Sequence, residues 1–66
     1  MKEKQDLKIE GYRGKWSAID KFKNYYLMEH NYYGDETCLL VIDENNKVIT
    51  ETYDDIKTAL IDEGIL

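Results

Sequence analysis

The chain has 66 residues, 42% hydrophobic and 35% charged, with a formal net charge of −5 and a single cysteine. That length allows one small domain, residues 1–66, near the lower limit at which a chain buries enough surface to fold alone. The content of aromatic and branched aliphatic residues excludes a disordered chain, and the lone cysteine excludes an internal disulfide.

The longest unbroken apolar run, Cys38 to Ile42, is far shorter than the about 20 residues of a membrane-spanning helix, so no membrane role is expected. Met1 to Asp6 is followed by no apolar segment of signal-peptide kind, and the expected compartment is the cytoplasm. Residues 1–6, rich in Lys and Glu, are expected to be disordered. A chain this short gains stability from a second copy of itself or from a metal, so a homodimer and a bound Zn2+ are both considered.

The charge is uneven. Residues 1–34 carry seven cationic and five acidic side chains, whereas residues 35–66 carry nine carboxylates against Lys47 and Lys57. Such an acidic half repels phosphate backbones, so no direct nucleic-acid binding is expected. It favours approach to a basic protein surface, although solubility alone would also account for it.

Leu7 and Ile9, alternating with charge before Gly11, predict at most a short edge strand. Lys15 to Phe22 predicts a first core strand, with Trp16 and Ala18 opposed to Ser17 and Ile19 and Trp16 as the main anchor of the core. A tight turn follows, in which Asn24 is the residue that best tolerates a left-handed backbone. Tyr25 to His30 predicts a second strand apolar on both faces, with Tyr25, Leu27 and Glu29 opposed to Tyr26, Met28 and His30. After the loop at residues 31–36, Thr37 to Asp43 predicts a third strand. Asp43-Glu44-Asn45-Asn46-Lys47 is a turn leading to a fourth strand at Val48 to Thr50. Thr52 is the candidate N-cap, with Asp55 three residues later and Gly64 as the C′ residue, so a helix is expected from about Tyr53 to Glu63. Its apolar stripe is Ile56, Ala59 and Leu60. The expected fold class is α+β: a small antiparallel meander of about four strands with one C-terminal helix packed on it.

Nucleophilic catalysis finds one His–Cys pair, His30 and Cys38, with no orienting third group and no oxyanion donors, so no enzyme activity is expected. A metal suits the same residues better, since zinc accepts thiolate, imidazole and carboxylate together. The candidate ligands are His30, Asp35 and Cys38, with Glu36 and Glu29 nearby; the spacing permits a site without defining one. The ordinary alternative is that Cys38 is a small core hydrophobe and His30 a hydrogen-bonded surface residue. Of the six tyrosines, Tyr32 and Tyr33 in the loop beside Gly34-Asp35 are candidates for partner contact.

Trp16-Ser17-Ala18-Ile19-Asp20, Tyr25 to His30, Tyr33-Gly34-Asp35-Glu36, Val41 to Asn45 and Tyr53-Asp54-Asp55-Ile56 together resemble a small domain of the large-polyvalent-protein-associated group. That group is carried by phages and conjugative elements. The similarity covers roughly residues 9–60. The free-standing acidic form is also similar to phage-encoded anti-CRISPR proteins that block a type II RNA-guided nuclease, including kinds that hold zinc. The resemblance implies a stoichiometric inhibitor acting in the bacterial host cell, with no chemistry of its own. Its implied partner is the nuclease with its guide RNA, approached on a basic surface so that target DNA cannot load. Asp43, Glu44, Glu51, Asp54, Asp55, Asp62 and Glu63 would supply that contact, with Tyr32 and Tyr33. The alternative is an accessory interaction module whose partner is another protein of the element.

Overall fold

The computed structural model describes residues 4–31 and 38–66. Among them, β1 (Leu7–Lys8), β2 (Lys15–Phe22), β3 (Tyr25–His30), β4 (Leu39–Ile42), β5 (Val48–Thr52) and α1 (Ile56–Asp62) follow one another along the chain. Each strand pairs antiparallel with the next, giving the sheet order β1-β2-β3-β4-β5. The expected α+β meander with a C-terminal helix is present. It has one strand more than four, because the short edge segment does pair, Leu7 with Trp16 and Lys8 with Lys15.

The sheet is covered on both faces, as the mixed pattern of β3 predicts. One face gathers Ile9, Trp16, Ala18, Tyr26, Met28, Leu40 and Ile42. The other packs Leu27 and Val41 against Ile56, Ala59 and Leu60 of α1. The helix closes the second face, while the first is covered by the chain before β2. There Tyr12 lies edge-on to Trp16, with ring centroids 6.1 Å apart, and its hydroxyl reaches across to Glu51 of β5. Lys4 is buried, although it falls in the segment expected to be disordered. Its ammonium donates to the Asn46 amide oxygen at 2.6 Å and the Glu44 carbonyl at 3.1 Å, and sits 5.1 Å from the centre of the Tyr26 ring. These partners are what make the buried charge tolerable.

Two bulges correct the straight-strand reading. Ala18 pairs with Met28 but Asp20 with Leu27, so β2 carries one extra residue, Ile19, which is 47% exposed instead of buried. The alternation inverts beyond it, and Phe22 joins the helix-side core where an unbroken strand would place it with Trp16. A second shift, between Val41 and Ile42 against β5, leaves Ile49 as the extra residue there.

The turns differ in detail from expectation. Between β2 and β3 the positive φ falls on Lys23 (55°), the first of the two turn residues, and not on Asn24. This is the pattern of a hairpin turn that needs a left-handed residue at its first central position only. In the β4–β5 turn the Asp43 carboxylate accepts the Asn45 and Lys47 amides at 2.8 and 2.9 Å, and Asn46 takes φ 65°.

The helix starts three residues later than predicted. Thr52 remains in β5, paired with Leu39, and its hydroxyl accepts the Asp54 amide; Asp55 is the N-cap, accepting the Thr58 amide at 2.7 Å. Both residues can cap, and sheet pairing claims the first. The C-terminus ends as predicted: the Gly64 amide bonds to Ile61 O and the Ile65 amide to Leu60 O, a Schellman pair with Gly64 at φ 77°. Ile65 and Leu66 are exposed.

Gly14 is fixed by both backbone and neighbour. Its φ is 73°, and a Cβ there would collide with Nε2 of His30. Gly14→Ala is expected to destabilise the domain by about 2 kcal/mol or more, read as a lower urea midpoint, because left-handed strain and imidazole displacement add. An unchanged midpoint would mean that the loop rearranges freely.

Candidate functional site

The seven carboxylates proposed for partner contact separate into groups with different tasks. Asp43 is occupied by the amides of its own turn, and Glu44 lies beside it at the Val48 end of β5. Asp55 caps α1, and the Thr58 amide holds its carboxyl below the usual range. Glu51 accepts the Cys38 thiol at 3.1 Å and the Tyr12 hydroxyl at 2.9 Å, which hold its carboxyl low, the thiol first. Asp54, Asp62 and Glu63 are exposed; Glu63 caps the end of α1, and Asp54 bonds to the Thr52 hydroxyl, through their backbone amides.

Those three meet at one place. An open groove of about 520 Å³ runs between the Thr52 end of β5 and the last turn of α1. Glu51, Asp54, Asp62 and Glu63 line it with Tyr53, Thr50, Thr52 and Ala59, and no Lys or Arg among the described residues does. The ring of Tyr53 is 81% exposed. Asp62 and Glu63 occupy the carbonyl end of α1, where the helix dipole favours cations, and the last turn holds no basic residue. Negative charge is therefore concentrated where the local structure disfavours it.

Tyr53, which the sequence pattern places at the start of the helix, lies before it. The usable signal was the doubled capping chemistry of Thr52 and Asp55. Two successive caps leave Tyr53 and Asp54 in a bend between them, with the ring outside the helix.

The metal candidates are not assembled by the residues the structure describes. His30 meets Trp16 edge-on, with ring centroids 4.9 Å apart, and its Nε2 contacts the Arg13 carbonyl at 3.0 Å. Cys38 faces Glu51 instead. No three His, Cys, Asp or Glu side chains among the described residues lie close enough to hold a metal ion. Asp35 and Glu36, like Tyr32 and Tyr33, lie outside the described residues.

The Tyr12–Glu51–Cys38 cluster makes stability depend on pH at both ends. Hydrogen bonding to Glu51 raises the Tyr12 phenol, and burial followed by the Glu51 bond raises the Cys38 thiol. The lowered carboxyls of Glu51 and Asp55 contribute stability above the ordinary carboxylate range, lost as the pH falls through their folded values. The raised thiol and phenol contribute below their ordinary values and lose that contribution as the pH rises through the folded ones. Glu51→Ala is expected to move the alkylation profile of Cys38 to lower pH and to flatten the alkaline loss of stability. Iodoacetamide rates against pH measure the first effect, and an unmoved profile would leave burial as the sole cause.

No helix among the described residues is long and apolar enough to cross a membrane. A search of curated proteins and a search of solved structures each gave no match. Residues 1–63 match the family described as Large polyvalent protein-associated domain 18, and with nearly its whole length covered the chain belongs to that family.

Proposed function

We propose that the chain is a protein-interaction accessory module of a phage or conjugative element, docking on a basic protein surface through Asp54, Asp62 and Glu63 and doing no chemistry of its own. The observation that carries this reading is the negative charge at the carbonyl end of α1, whose last turn has no basic residue, beside an exposed tyrosine and a groove lined by four carboxylates. Carboxylates kept against the helix dipole serve something other than the helix. Membership of a family defined by its association with large polyvalent proteins supports an accessory role.

The narrower form of the proposal is an anti-CRISPR inhibitor. A guide-loaded type II nuclease holds its heteroduplex in a positively charged channel, which an acidic groove complements. The test is target-DNA cleavage by such a nuclease with the protein titrated in, read beside a gel shift for DNA loading. Inhibition that saturates near one protein per nuclease, with loading lost, supports the inhibitor. Full cleavage at large excess across several nucleases rejects it and leaves the accessory module with another basic partner.

Zinc is a separate proposal resting on His30, Asp35 and Cys38. Native mass spectrometry of protein purified without chelator tests it: a bound ion lost in His30→Ala and Cys38→Ala supports the site, and an ion-free wild type rejects it.

A further inference from the structure

β5 ends the strand order, so the main-chain groups on its outer side meet no strand among the described residues. An open edge of this kind is a template for one more strand. At the other end of the sheet the edge strand is two residues long, whereas β5 presents five, Val48 to Thr52. A groove lies between its Thr52 end and the last turn of α1.

The charges select the occupant. A second copy of this chain carries the same net charge of −5, which disfavours self-association. A partner helix would leave the β5 main chain unpaired. An extended segment satisfies both features, because successive side chains alternate between faces. One edge of its main chain can pair with β5 while every second side chain turns towards α1.

We infer that β5 accepts an extended, Lys- or Arg-bearing segment of a partner protein as a sixth strand, with its cations against Asp54, Asp62 and Glu63. This rests on the acidic docking reading above and adds how the partner is held. Affinity comes from the main chain and selection from the carboxylates, so the partner segment carries a basic residue at every second position and no proline between.

The probe is an acetylated, amidated octapeptide alternating Lys and Thr, compared at low salt with the same peptide methylated on every backbone nitrogen. Methylation keeps the charge and removes the main-chain donors. The expected result is binding at least tenfold tighter for the unmethylated peptide, with amide shifts and slowed exchange centred on residues 48–52. Equal binding of the two peptides would overturn strand addition while leaving acidic docking intact. If neither peptide binds the wild type more tightly than it binds a D54K/D62K/E63K variant, both readings fail. Slowed exchange of the same amides on raising the protein concentration, without peptide, would make the occupant a second copy and overturn the assignment.

Discussion

Trp16→Ala is expected to leave most of the protein unfolded at 25 °C. The indole is 3% exposed, donates Nε1–H to the Arg13 carbonyl at 3.1 Å, and meets Tyr12 and His30 edge-on. Its removal takes away a large buried side chain and also the support for Tyr12, the residue that reaches across this face to Glu51. Truncating a buried tryptophan costs about 3–5 kcal/mol. A domain of this length holds about 3–10 kcal/mol in total, so the change consumes most or all of it. Trp16→Phe keeps much of the apolar area, loses the indole hydrogen bond and is expected to melt lower while remaining folded. Circular dichroism melting separates the two variants. A Trp16→Ala protein that melts like wild type would mean that the helix-side core alone sustains the sheet.

The triple variant D54K/D62K/E63K is expected to lose partner affinity by about a hundredfold or more while keeping its fold. Each exposed charge contact is worth roughly 0.5–1 kcal/mol, and reversal exchanges attraction for repulsion at three neighbouring positions. Stability should be unchanged or slightly higher, because lysine at positions 62 and 63 complements the carbonyl end of α1. This opposition distinguishes a binding surface from a structural one. Residues that hold the fold lose stability when reversed, whereas these should lose binding alone. A marked drop in melting temperature would assign the three carboxylates to the fold.

The parts of the structure legible from the sequence are those decided locally. β2 and β3 have the predicted limits because alternation marks both strands and the two-residue turn between them sets their register. The end of α1 is legible because Gly64 and Ile65 specify a Schellman closure within five residues of Leu60. Its start is not, since Thr52 and Asp55 offer the same capping chemistry and only pairing with Leu39 across the sheet decides between them. The extra residue Ile19 is invisible for a similar reason: a bulge is a relation between two strands, and one strand read alone looks continuous. Lys4 is the furthest from local. Composition places it in solvent, and its partners lie about forty residues on, in the β4–β5 turn.

For the candidate site, the sequence supplies the acidic residues but not their division of labour. Asp43, Glu51 and Asp55 are engaged by groups of the fold itself, and which carboxylates remain for a partner depends on hydrogen bonds that charge counting cannot reveal. The groove depends on β5 being an edge and on α1 starting late, both of them properties of the assembled sheet.

The most direct measurement is capture from a lysate of cells carrying the parent element, with immobilised wild type and D54K/D62K/E63K side by side and elution by rising salt. The account predicts a basic protein retained in near-stoichiometric amount by the wild type, released as salt rises from about 0.1 to 0.5 M, where the Debye length shrinks below about 5 Å, and absent from the variant. Retention of the same proteins by both, released at the same salt, would contradict the assignment of Asp54, Asp62 and Glu63 as the working surface.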